Sequence, residues 1–220
     1  MHHAAMPPAA ADSAAAPAPF RPAPPVVLGV LGGIAAGKSA VAARFAAHGL
    51  CHVDADQIAR AVSAEPEVLA AVASAFGPTA VRDGQLDRQA LGARVFRDET
   101  ARRTLEGILH PRIRAQVLAA VAAAVGRGDS VLLDVPLLLE NGLIDACDAT
   151  IFLDASLATR RARAAARGWP DGELERREAA QAPLAHKRAR ARFVVATDGD
   201  LPAMHRSVAA VLDQLRQERP

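Results

Sequence analysis

The sequence predicts an α/β fold, a five-stranded parallel sheet covered by helices on both faces, and three observations carry that expectation. Short apolar runs recur at residues 26–31, 51–54, 130–134, 149–154 and 193–196, each of strand length and apolar on both faces. Stretches of helical character separate them, as parallel strands need crossover connections. Three of the runs end in glycine or acid, at Gly32, Asp54 and Asp134. In a parallel sheet those ends gather at one rim, outside the carboxyl ends of the strands, where ligands of such folds bind.

Taken in order, the first run stops at Gly32-Gly33, and residues 39–47 read as a helix halted near Gly49. Residues 58–126 read as helical throughout, with breaks at Glu65-Pro66, Gly77-Pro78, Asp83-Gly84 and His110-Pro111. That stretch is too long for a plain crossover and reads as an inserted substrate-binding subdomain. Residues 157–167, 172–180 and 184–190 read as three helices, and 201–216 as a closing helix with apolar Val208, Val211, Leu212 and Leu215. Residues 1–25 are rich in Ala and Pro and carry few charges. They read as a disordered extension whose deletion leaves activity and melting temperature nearly unchanged.

The chain has 220 residues, enough for one domain with a sizeable core. No run reaches the roughly 18 uninterrupted apolar residues of a membrane span, and the start lacks the pattern of a signal peptide. Cys51 and Cys147 have no metal-ligand spacing and read as free thiols of a reducing, cytoplasmic compartment. A net charge of +2 argues against a general nucleic-acid binder. No membrane or obligatory protein partner is expected. The basic residues are 24 arginines and two lysines, Lys38 and Lys187. In so arginine-biased a chain, a lysine marks a position where arginine will not serve, which suits Lys38; Lys187 reads equally as chance.

Gly32 to Ser39 fits the pattern G-x-x-x-x-G-K-[ST] between a strand and a helix. Gly33, Ile34, Ala35, Ala36, Gly37, Lys38, Ser39 and Ala40 are therefore the candidate nucleotide-binding residues. Backbone amides curl around the phosphates, the helix N-terminus adds its dipole, Lys38 reaches the β- and γ-phosphates, and Ser39 offers a hydroxyl to Mg²⁺. The cofactors expected are ATP as co-substrate and Mg²⁺. Asp54-Ala55-Asp56 reads two ways, as acids facing the phosphates or as a helix cap with a dipole-favoured first turn. Asp134-Val135-Pro136 likewise reads as an Mg²⁺ aspartate or as a cap before a proline. Residues 160–192 hold 10 of the 26 basic residues and four acids, which reads as a lid over ATP or as a solvated helix surface.

Together these segments resemble the dephospho-CoA kinase family. The resembling elements are Leu31-Gly32-Gly33-Ile34 with Gly37-Lys38-Ser39, Asp54-Ala55-Asp56 with Ala59-Arg60, Leu109-His110-Pro111-Arg112-Ile113, and Asp134 through Gly142. Arg163 and Arg167 follow, then Gln181 and Lys187-Arg188, all in the family's order over residues 26–200. The phosphate loop identifies only a superfamily; the segments at 54–60, 109–113 and 136–142 are more specific. The resemblance implies transfer of the ATP γ-phosphate to the 3′-hydroxyl of the ribose of dephospho-CoA. It implies a nucleotide core (26–62, 128–156 and 192–217), a helical CoA-binding insertion (about 63–127) and a lid (about 157–191). Asp56 becomes the base, with Lys38, Arg163 and Arg167 as further catalytic groups. The expected substrate-binding residues are Asp54, Asp56, Arg60, His110 and Arg112, with Arg60 reading also as the partner that orients Asp56 and His110 also as a helix cap before Pro111; Ser39 and Asp134 are expected to serve the metal. The chain departs from the family's pattern at Ala36 and Ala40, in place of a small polar residue and a threonine, and at Ala196-Thr197, in place of Asp-Asn. The nearest alternative is another small-substrate P-loop kinase, acting on a nucleoside or nucleotide. A GTPase-like switch would want an N-K-x-D motif, and the sequence contains none.

Overall fold

A computed structural model describes residues 17–218. Strand β1 (Val27–Gly32) is buried along almost its whole length and lies at the centre of a parallel sheet of order β2-β5-β1-β6-β7. Its partners are β5 (Val131–Asp134) and β6 (Ala149–Asp154); β2 (Cys51–Asp54) and β7 (Phe193–Ala196) form the edges. The register sets Asp54 of β2 opposite Asp134 of β5, so the two acids and the glycine-ended central strand share one rim.

Each face of the sheet has its own core. On one, α1 (Lys38–Ala47) and α9 (Leu201–Glu218) bury Val41, Phe45, Val208, Val211, Leu212 and Leu215 against Leu28, Val30, Ile151 and Val195. On the other, Val117, Val121 and Ala124 of α5 (Glu99–Gly126) pack on Val27, Val131, Leu133 and Phe152. A third cluster joins α2 (Ala55–Val62), α3 (Pro66–Phe76), α4 (Arg88–Arg97) and the first half of α5 around Val62, Val68, Val72, Phe76 and Leu91. Helix α5 therefore belongs to both the sheet and the insertion. Among the described residues it alone has the length and apolarity of a membrane span. Arg112 and Arg114 interrupt it, and one face is spent on the two cores.

Three sequence expectations are corrected. The break at His110-Pro111 is absent, because α5 runs through Pro111. A proline inside a helix forgoes one N–H bond, here to Gly107, which neighbouring packing can offset. Residues 81–86 are not helical but a short antiparallel hairpin, β3 (Val81–Arg82) with β4 (Gln85–Leu86), turning at Asp83 and Gly84, both of positive φ. The extension is not free over residues 17–25. Phe20 is 1% exposed within the α1–α9 core; its N–H donates to the His48 carbonyl at 2.7 Å, and the Arg216 guanidinium lies 5.5 Å from its ring. The ring does not hold the segment alone: the Ala18 carbonyl lies 3.2 Å from His48 Nδ1, and Arg21 pairs with Asp129 at 3.0 Å. Residues 1–16 of the proposed extension lie outside the described residues. After β6, α6 (Leu157–Ala166), α7 (Glu173–Glu178) and α8 (Leu184–Ala189) pass over the rim before the chain returns as β7.

Candidate active site

The loop from β1 to α1 is shaped by two left-handed residues, Ala35 at φ 61° and Gly37 at φ 96°. Gly37 can adopt this freely; Ala35 does so at a cost of about 1 kcal/mol, a strain characteristic of functional loops. Thr197, buried after β7, braces the loop from behind: its hydroxyl donates to the Ala36 carbonyl at 2.8 Å and its N–H to the Asp154 carbonyl at 2.8 Å. The departures at Ala36 and Thr197 are thus matched to each other, the small apolar side chain buried and the threonine holding its carbonyl.

A cavity of about 620 Å³ opens over this loop. Its floor is residues 30–39, and one wall carries Asp56 from the first turn of α2. Val135, Pro136, Leu137, Leu138 and Glu140 follow β5 as a second wall; Arg167 and Trp169 just after α6, Arg176 and Arg177 on α7, Gln181 beyond it and Lys187 on α8 close it. Lys38 reaches the Asp134 carboxylate at 3.0 Å, and His52 lies 3.8 Å from its other oxygen. Both lysines of the chain line this one cavity. Lys187, 4% exposed, donates to Gln181 Oε1 at 2.8 Å and pairs with Glu140 at 3.4 Å. Burial alone would raise the Glu140 pKa, but the Ala182 N–H and the Lys187 ammonium hold it below the usual carboxylate range.

Of the sequence-named residues, the structure brings Gly33 through Ser39, Asp56 and Arg167 to the cavity wall. Ala40 is exposed just outside it, and its N–H returns to the Gly37 carbonyl. Asp54 caps α2, accepting from Asp56 N–H at 2.8 Å and Gln57 N–H at 3.2 Å. Arg60 stands one turn along α2, exposed, and His110 and Arg112 are exposed on α5; none of the three lines the cavity. Arg163 lies behind the phosphate loop, donating to the carbonyls of Ala35, at 3.4 Å, and Thr197. The sequence did not single out Trp169, and Arg176 and Arg177 read as a solvated surface. The signal that could have found them is the lone tryptophan beside an arginine-rich helix: Arg177 stacks 4.2 Å from the Trp169 ring.

Any Mg²⁺ site here would draw on the Ser39 hydroxyl and the Asp134 carboxylate. These are hard oxygen donors of the kind Mg²⁺ takes, one or two from protein and the rest from water and phosphates.

A model of the family described as dephospho-CoA kinase matches residues 26–203. The chain belongs to the dephospho-CoA kinase family. It is 44% identical to the dephospho-CoA kinase of Deinococcus radiodurans over 201 residues, covering 90% of this chain and 97% of that one. The enzyme of Thermobifida fusca is 41% identical, with 86% and 96% covered. Among solved structures, a Thermus thermophilus protein superposes with a TM-score of 0.74 at 35% identity, covering 87% of this chain and 98% of its own. The dephospho-CoA kinase of Campylobacter jejuni gives 0.59 at 20% identity, covering 86% and 96%, a likeness of fold.

Proposed function

We propose that this protein transfers the γ-phosphoryl group of ATP to the 3′-hydroxyl of the ribose of dephospho-CoA, giving coenzyme A and ADP. The observation that carries the proposal is one cavity with the phosphate loop and Lys38 as its floor and Asp56 on its wall. Phosphoryl transfer asks for alignment and charge neutralisation rather than covalent help. The loop amides and Lys38 hold the phosphate chain of ATP. The Asp56 carboxylate takes the proton of the attacking ribose hydroxyl. Arg167, joined by Arg176 and Arg177, meets charge that builds on the transferred group. Arg163 serves these groups from behind the loop, fixing the Ala35 carbonyl. Arg60, His110, Arg112 and the free oxygen of Asp54 remain for the more distant parts of the acceptor. Mg²⁺, when bound by Ser39 and Asp134, supplies positive charge to the phosphate oxygens. The reaction belongs in the cytoplasm and needs no nucleic acid, membrane or partner protein.

A coupled assay of ADP release with ATP, Mg²⁺ and dephospho-CoA tests the reading, run beside nucleosides and nucleoside monophosphates as acceptors. Turnover with dephospho-CoA far above the others is expected. A preference for a nucleoside or nucleotide would replace the acceptor and keep the kinase.

A further inference from the structure

Glu178, the last residue of α7, turns its carboxylate onto the phosphate loop. Its Oε1 accepts the backbone N–H of Ile34 at 3.1 Å and pairs with the guanidinium of Arg160. Arg160 is 5% exposed, in the first turn of α6, and its Nε donates to the Ala155 carbonyl at 3.3 Å. The pair is packed against Gly33 so tightly that a Cβ there would stand 2.9 Å from both Arg160 Nη1 and Glu178 Oε1. Side chains of this kind are rarely placed in such burial without a partner on every polar atom. Here the third partner is the nucleotide loop itself, and α7 is the element that brings Arg176 and Arg177 to the cavity.

We infer that Glu178 is a positioning residue for phosphoryl transfer: by accepting the Ile34 N–H it pins α7 to the phosphate loop and so sets Arg176 and Arg177 beside it. The inference rests on the reading of the cavity as a kinase site. If that reading fails, the parent protein shows no transfer; if only this inference fails, the parent turns over normally and the variants depart from the pattern below.

Removing one member alone would strand a buried charge, so the pair is removed together. In Arg160→Leu/Glu178→Leu no unpaired ion remains, and such exchanges often keep or raise stability. The expected result is a melting temperature within about 4 °C of the parent. The kcat should fall about 10- to 100-fold, the scale of a small misplacement of groups around the reacting atoms. Affinity for a non-hydrolysable ATP analogue, read from Trp169 fluorescence, should change less than about threefold, because the loop amides and Lys38 remain. Arg160→Leu/Glu178→Gln returns a neutral acceptor to the Ile34 N–H and should restore kcat to within about threefold of the parent. A double-leucine protein with near-parental kcat overturns the inference, as does a glutamine variant no better than the double leucine. Should the variants fail to fold, hydrogen exchange of the parent decides. The Ile34 amide is then expected to be protected without nucleotide, and exchange at the rate of an open loop would sink the proposal.

Discussion

Lys38 and Asp134 face each other at 3.0 Å, with 35% and 15% of their side chains exposed. The cation of the cradle is therefore held on the sheet side of the loop, aimed by a carboxylate at the end of β5. Lys38→Ala should reduce turnover by orders of magnitude while the fold survives, since the loop's shape comes from the backbone and from Thr197. Lys38→Arg should fail as well, because a planar fork does not replace a compact ammonium in a loop shaped for a point charge. Near-normal kcat in the arginine variant would refute this. Asp56 poses a sharper question. Its backbone N–H, not its carboxylate, is engaged by the Asp54 cap, so the side chain stays available at the cavity wall. Asp56→Asn should lower kcat about 10²- to 10⁴-fold, the range for loss of a general base. ATP affinity should hold. A residue serving only the α2 dipole would instead lose about 0.3–1 kcal/mol of stability and keep its turnover, so kcat and melting temperature measured on this variant separate the two roles.

At the scale of elements, the segment before β1 is held by the α1–β2 turn. His48 is buried, its Nδ1 lies 3.2 Å from the Ala18 carbonyl, and its Nε2 has no hydrogen-bond partner. A second proton would land on that enclosed nitrogen. Burial accordingly lowers the His48 pKa below 6.5, aided by Arg44 and Arg216 and opposed by the Ala18 carbonyl and Asp213. A histidine with a lowered folded pKa is protonated more readily in the unfolded chain. Its contribution to stability is thus whole above about pH 6.5 and is lost as pH falls through the folded value. Melting temperature should drop between pH 7.5 and 5.5, and His48→Gln should flatten that slope; an unchanged slope would remove His48 from the account. Phe20→Ala should cost about 3–5 kcal/mol as a buried aromatic deletion, read as a lower melting temperature with kcat retained. None of this was legible in the sequence, because one phenylalanine among alanines and prolines sets up no period. The β3–β4 hairpin escaped for a related reason, since two-residue strands cannot show alternation. Pro111 misled because a local rule gives way to packing along α5. By contrast, the sheet strands and the phosphate loop were legible, since burial on both faces and a strand–glycine–helix junction leave local marks. The pair Arg160–Glu178 left none; in an arginine-rich run, a buried ion pair reads like any solvated one.

At the scale of the molecule, the cavity has no single owner. Its walls come from residues 30–39, from Asp56, from residues 135–140 and from residues 167–187, segments far apart in the chain and meeting at one rim of the sheet. Glu140 ties two of these walls together through the Ala182 N–H at 2.8 Å and Lys187, and Glu178 ties α7 to the phosphate loop. A nucleotide held in this space touches several segments at once, and unfolding any of them gives up the site. Binding should therefore appear as global stabilisation. A non-hydrolysable ATP analogue with Mg²⁺ at one hundred times its Kd adds about 2.7 kcal/mol by mass action alone. For a domain of this length that corresponds to a rise of about 5–10 °C in melting temperature. Lys38→Ala should show a smaller rise at the same concentration, because it keeps the amides and loses the charge. The transition should stay single, since α5 shares its apolar residues between the sheet core and the insertion core. Two separate transitions, with only one moved by nucleotide, would show that the insertion unfolds on its own and that the walls are not coupled.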